Sequence, residues 1–307
     1  MACSKTTELL SYPEFIERIR ESVKETMGNG YRVDVNHVLK NNSIELDGLI
    51  ILKENERISP NIYLNSYYDR YLEGEELDRL TGEMTGIYMD TTEEGEKEAV
   101  CLRYEFGEMK PCIVYRLVNY ERNRRMLLEV PHIRFLDLAV TFHCLVKNNE
   151  EGIGTIRITN EHMQSWGTDI RELKEAAQRN TPLLFPPIVR SMDEIVQEML
   201  GKDSADVQQV RQNYAQMYVL SNKKGINGAG CLLYSNLIKD LADRLESDFY
   251  ILPSSIHEII LVMDNGQLNR DILKEMVFDV NRTQVPMEDV LSDTVYCYSR
   301  EKDAISM

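Results

Sequence analysis

The chain has no CxxC pair, no Gly-rich phosphate loop, and no apolar run near the roughly 20 residues that a membrane-spanning helix needs. Its six cysteines, Cys3, Cys101, Cys112, Cys144, Cys231 and Cys297, are scattered, and Cys144 and Cys231 sit inside apolar runs. They read as free thiols that pack like small hydrophobes, and their spacing offers zinc no cluster of ligands. No cofactor and no metal are expected. Glycine and proline are scarce, at 16 and 9 residues, so neither a low-complexity tail nor a linker-rich array is expected. The segment GINGAG has its glycines in the wrong order for a dinucleotide fingerprint, and no G-x-S-x-G elbow occurs. The opening MACSKTTELLSYPEF lacks a basic start followed by an apolar stretch, so a secretory signal is not expected and a cytoplasmic location is.

What is present is ordinary globular material. The 307 residues are 43% hydrophobic and 28% charged, enough for about two domains with buried cores. Net charge is −16, unevenly spread: residues 1–110 hold 13 basic and 23 acidic side chains, residues 111–190 hold 11 and 9, and residues 191–307 hold 11 and 19. An acidic field repels phosphate backbones, so nucleic acid is not the expected partner. The one basic cluster, Arg116, Arg122, Arg124 and Arg125, reads as the solvated face of a helix.

Two hairpin-like stretches dominate the pattern. In FLDLAVTFHCLV-KNNEEG-IGTIRIT, Phe135 to Thr159, the even positions from Leu136 to Val146 are apolar, so that face is core. The second is DFYIL-PSS-IHEIILV. Ser11 and Glu14 form a capping box before an apolar stripe of Phe15, Ile19, Val23 and Met27, and Gly28 stops that helix. YRVDVNHVL, SIELDGLIIL and NIYL are expected strands, the last two joined by the KENERISP turn. LEGEELDRLTGEMTGIYMD is an expected acidic helix with Leu77, Leu80, Met84 and Ile87 inward, followed by a mobile loop or hinge over Thr91–Glu98. A long helix is expected over Met109–Leu128. DIRELKEAAQRN, SMDEIVQEML, SNLIKDLADRLE and RDILKEMVFDVN are further helices, TPLLFPP a crossing, and MYVLSN, AGCLLY and TVYCYS strands. The sum is an α+β fold in two closely associated parts, residues 1–130 and 131–307.

Three places invite chemistry. PSSIHE offers Ser254 or Ser255 as a nucleophile and His257 as a base, but on a strand Glu258 would point away from His257, and Pro-Ser-Ser is good turn chemistry. Glu45 and Asp47 share one strand face roughly 7 Å apart, which suits a metal or an acid–base pair, yet ISPNIYL supplies no third carboxylate; a solvated hairpin face is favoured. Thr141, His143, Thr155 and Arg157 cluster across the Phe135–Thr159 hairpin, a polar face able to take a small anion or a partner loop, or simply left wet. Asp137 lies about 20 Å along the strand from His143, outside that cluster. His37 and His132 have no partner visible in the sequence. His162 and Trp166 read as a packed helix-turn corner.

The strings IELDGLII with ISPNIYL, VPHIRFLDLAV, NEHMQSWG, MYVLSN with INGAG, YILPSSIHEIILV and LSDTVYCY resemble one uncharacterised bacterial family, a domain of unknown function, from about Tyr12 to Arg300. The C-terminal half is also faintly similar to a second uncharacterised bacterial group. The resemblance implies a soluble bacterial protein and carries over no activity. The residues themselves favour a non-catalytic binding or regulatory module that recognises a partner protein or small molecule; the alternative is a hydrolase using His257 or His143.

Overall fold

The computed structural model describes residues 9–53, 61–95, 105–149, 152–200, 217–266 and 269–307. The chain forms two compact units. The first comprises the described residues of Met1–Lys40 and Ile44–Arg103, and the second comprises Asn41–Ser43 and those of Tyr104–Met307. Residues 105–130 therefore fold with the second unit. The whole is α+β, as the alternating pattern predicts.

In the first unit, α1 (Tyr12–Met27) starts at the Ser11–Glu14 capping box, where the Ser11 N–H donates to Glu14 Oε2 at 2.9 Å, and it stops at Gly28 in a positive-φ conformation. Its buried stripe of Phe15, Ile19 and Val23 packs with residues from β1 (Tyr31–Leu39) and β2 (Glu45–Lys53), an antiparallel hairpin registered from Tyr31↔Lys53 to Leu39↔Glu45. NIYL is a strand only at β3 (Ile62–Tyr63); Leu64 already opens α2 (Leu64–Leu72), because Leu64, Tyr67 and Tyr71 recur at helical spacing. The expected acidic helix is broken at Gly74, whose φ is +102°, and resumes as α3 (Leu77–Gly95). Leu80 and Met84 face inward as expected, but Ile87 is exposed and Tyr88 takes its place in the core. Thr91–Gly95 continues α3, so the expected loop does not begin there; the rest of it, most of KENERISP, Cys3 and Cys101 lie outside the described residues.

In the second unit the largest correction is the helix over Met109–Leu128. The single turn α4 (Phe106–Met109), continued by a 3-10 turn over Lys110–Cys112, precedes β4 (Ile113–Asn119), and a further turn, α5 (Arg124–Leu127), follows it. Ile113, Val114, Tyr115 and Leu117 are all buried, since β4 flanks a long central strand and both its faces are covered. That strand is β6 (Leu138–Asn148), paired with β4 on one side and with β5 (His132–Phe135) then β7 (Ile153–Arg157) on the other. After α6 (Asn160–Ser165), α7 (Ile170–Leu184) runs through Thr181-Pro182-Leu183-Leu184 and packs on β4, where the Tyr115 N–H donates to Thr181 Oγ1 at 3.1 Å. TPLLFPP is thus part helix, part β8 (Pro187–Ser191).

A six-stranded antiparallel sheet completes the unit in the order β13-β12-β10-β11-β9-β8, with β9 Met217–Asn222, β10 Phe249–Leu252, β11 Ile259–Met263, β12 Tyr296–Ser299 and β13 Ala304–Ser306. The helices α8 (Met192–Leu200), α9 (Leu237–Leu245) and α10 (Arg270–Thr283) match the expected ones. AGCLLY is not a strand: residues Gly228–Leu233 form a 3-10 helix. A side chain at Gly228 would overlap Ser221 Oγ and the His257 carbonyl oxygen, so only glycine lets this segment approach β9. Cys112, Cys144, Cys231 and Cys297 are free thiols, and Cys144 and Cys231 are buried as expected.

Candidate functional site

The register of the four-stranded sheet collects one set of polar side chains on one face. His143 stands opposite Arg157 on β7, Leu145 opposite Thr155, and Thr141 opposite Arg116 on β4. The four residues expected from the hairpin do come together, and Arg116 joins them. Sequence reasoning missed Arg116 by assigning it to a helix, although Val114, Arg116 and Val118 alternate with Tyr115 and Leu117 at strand period.

The face is not wet. Thr141 is 1% and His143 6% exposed, while Arg116, Thr155 and Arg157 are half-buried. Arg116 Nη2 donates to Thr155 Oγ1 at 2.7 Å, reaching past His143, whose Nε2 lies 3.1 Å from Thr141 Oγ1. Burial, reinforced by the charges of Arg116 and Arg157, holds the His143 imidazole well below its usual value, so it is neutral at pH 7. Burial and the Arg157 charge push Arg116 down to about 10, so it remains cationic. Burial also lowers Arg157, with the Glu129 charge opposing. Among the described residues no carboxylate is hydrogen-bonded to or ion-paired with either guanidinium, whereas Arg122 and Arg124 meet Asp293 and Glu121 at 2.8 and 2.7 Å. The basic cluster is thus no single helix surface. Arg116 also lines a slit with Ile153, Asn222 and Asn227 whose free space is about 10 Å³, that of a single water.

The His257 segment is built differently from the expected hairpin. The link between β10 and β11 covers residues 253–258, so His257 lies in a loop and not on a strand. Its Nδ1 accepts the Asn227 N–H at 3.2 Å, and its Nε2 lies 3.3 Å from Asp289 Oδ1. Ser255 Oγ accepts the His257 backbone N–H at 3.0 Å, and Ser254 and Ser255 are both buried. Both ring nitrogens are occupied by groups other than a serine hydroxyl, so the arrangement lacks the nucleophile–base contact of a serine hydrolase. Asp289 is 32 positions along the chain from His257, and no local pattern announces it.

His37, without a visible partner in the sequence, meets Asp47 at 2.7 Å, directly across the β1–β2 hairpin. A hairpin centred on Asn42 would have given that pair. Tyr12 Oη also donates to Asp47, at 2.8 Å, and burial together with that carboxylate raises the tyrosine. Glu45 is exposed at the strand start. Asp137 accepts from Ser292 Oγ at 2.6 Å and from the Tyr296 hydroxyl, away from His143. His132 Nδ1 lies 3.0 Å from the Val130 carbonyl oxygen. His162 caps α6 with Thr159 and stacks on Trp166 at 5.8 Å, the packed corner expected. Among the described residues no three His, Cys, Asp or Glu side chains converge as a metal site, and no helix is long and apolar enough to cross a membrane.

Fold and site together define an α+β protein with a half-buried cationic sheet face. The chain belongs to the family of unknown function DUF5688, whose model matches residues 12–300. No curated protein and no solved structure matches it.

Proposed function

We propose that the protein is a non-catalytic binding module that takes a small anionic ligand, one bearing a carboxylate or phosphate group, on the Arg116–Arg157 face. The observation that carries this reading is a pair of half-buried guanidiniums without a carboxylate partner among the described residues. Partly desolvated charge is unfavourable unless it is neutralised, and the arginine fork matches carboxylate and phosphate oxygens. Thr155 adds a hydroxyl, and Asn227 adds an amide beside Arg116. A neutral His143 contributes a ring nitrogen without further charge. Free thiols at Cys144 and Cys231 suit a reducing, cytoplasmic setting.

Titration calorimetry with inorganic phosphate and with succinate, against chloride at matched ionic strength, tests this. The reading predicts saturable one-site binding of at least one of the two anions, with affinity falling tenfold or more in Arg116→Met. Equal responses of parent and variant, or no saturation with either anion, would overturn it.

A further inference from the structure

The opposite face of the same sheet holds a second, apolar site. Val140 and Phe142 on β6 form its floor, Ile133 and Phe135 on β5 one wall, and Lys174 and Gln178 on α7 the rim. The groove's free space is about 200 Å³, many times the ~10–15 Å³ that one water occupies. Leu173, Ala176 and Ala177 turn the buried side of α7 inward, which leaves Lys174 and Gln178 exposed one helical turn apart along the same edge. Lys174 makes no ion pair among the described residues, so its ammonium is available to a ligand, and Gln178 places an amide beside it. We infer that this groove binds a medium-chain monocarboxylate, its alkyl chain on Val140 and Phe142 and its carboxylate at Lys174. The occupant follows from complementarity: an apolar floor takes a chain, and, with Arg134 at the edge stacked on Tyr120 and donating to the Leu136 carbonyl oxygen, Lys174 is the uncommitted cation that takes one acidic head. This site is separate from the Arg116 face and requires no anion there.

Calorimetric titration of the full chain with butanoate, hexanoate, octanoate and decanoate reads the proposal directly. Affinity is expected to rise about fourfold per added methylene, the fold-change equivalent of ~0.8 kcal/mol per buried CH₂, and to level off when the groove is full. Lys174→Gln, an exposed substitution that leaves the core untouched, is expected to weaken octanoate several-fold and leave 1-octanol unchanged. Saturating phosphate is expected not to displace octanoate. Affinity independent of chain length, octanoate insensitive to Lys174→Gln, displacement by phosphate, or absence of binding across the series would each overturn the assignment.

Discussion

Arg70 and Arg116 are both half-buried arginines, and their surroundings are opposite. In the first unit Arg70 is gripped by two carboxylates, with Nε and Nη2 on Glu75 at 2.7 and 2.9 Å and Nη1 and Nη2 on Glu83 at 3.0 and 2.7 Å. In the second, Arg116 has one neutral acceptor, the Thr155 hydroxyl, and the charge that acts on it is the cationic Arg157. The histidines repeat the contrast: His37 meets Asp47, while His143 sits between Arg116 and Arg157. A cation whose donors are all met by acids inside the fold is closed, and its role is local. A cation held in place by packing and a hydroxyl, with no acid on its donors, is the arrangement that the proposed anion site requires.

The strongest way to break this contrast is to give Arg116 an internal acid. Thr155→Asp puts a carboxylate on the residue that Arg116 already contacts, making its surroundings resemble those of Arg70. Phosphate at 100 times its Kd stabilises a one-site binder by about 2.7 kcal/mol, and Thr155→Asp is predicted to abolish that increment in urea unfolding. Retention of the increment would show that the anion sits elsewhere.

A smaller effect concerns His143 and proton linkage. Its folded value lies well below 6.5, so in acid the unfolded chain binds a proton that the native state refuses. The stabilising contribution is complete above the unfolded value and is lost as pH falls below it, by at most ~1.4 kcal/mol per pH unit. His143→Leu is predicted to flatten this part of the stability profile below pH 6.5, measured by urea midpoints. Bound phosphate, by offsetting the two guanidinium charges, is predicted to make the parent slope shallower.

How far the sequence discloses this architecture depends on where the partners lie. α1 is legible because its determinants, Ser11, Glu14, the four-residue stripe and Gly28, are local. The β6–β7 hairpin is legible because its period-two pattern sets its own register, which brought Thr141, His143, Thr155 and Arg157 onto one face. β4 was hidden because charges at Arg116, Glu121, Arg122, Arg124 and Arg125 imitate an amphipathic helix, and the strand exists through its pairing with β6. Losing β4 meant losing Arg116, the residue that turns a polar face into a cationic one. The burial of that face could not be read either, since alternation marks which side chains share a face and not what covers them. Asp289 beside His257 and Ser292 on Asp137 are likewise products of tertiary folding.

The most direct test is the unfolding free energy of Arg116→Met with and without phosphate. Replacing a desolvated, unpaired cation by an apolar side chain of similar length removes an unfavourable charge. The account predicts a variant at least as stable as the parent in phosphate-free buffer and indifferent to added phosphate. A variant markedly less stable without phosphate, or one that keeps the full phosphate increment, would contradict it.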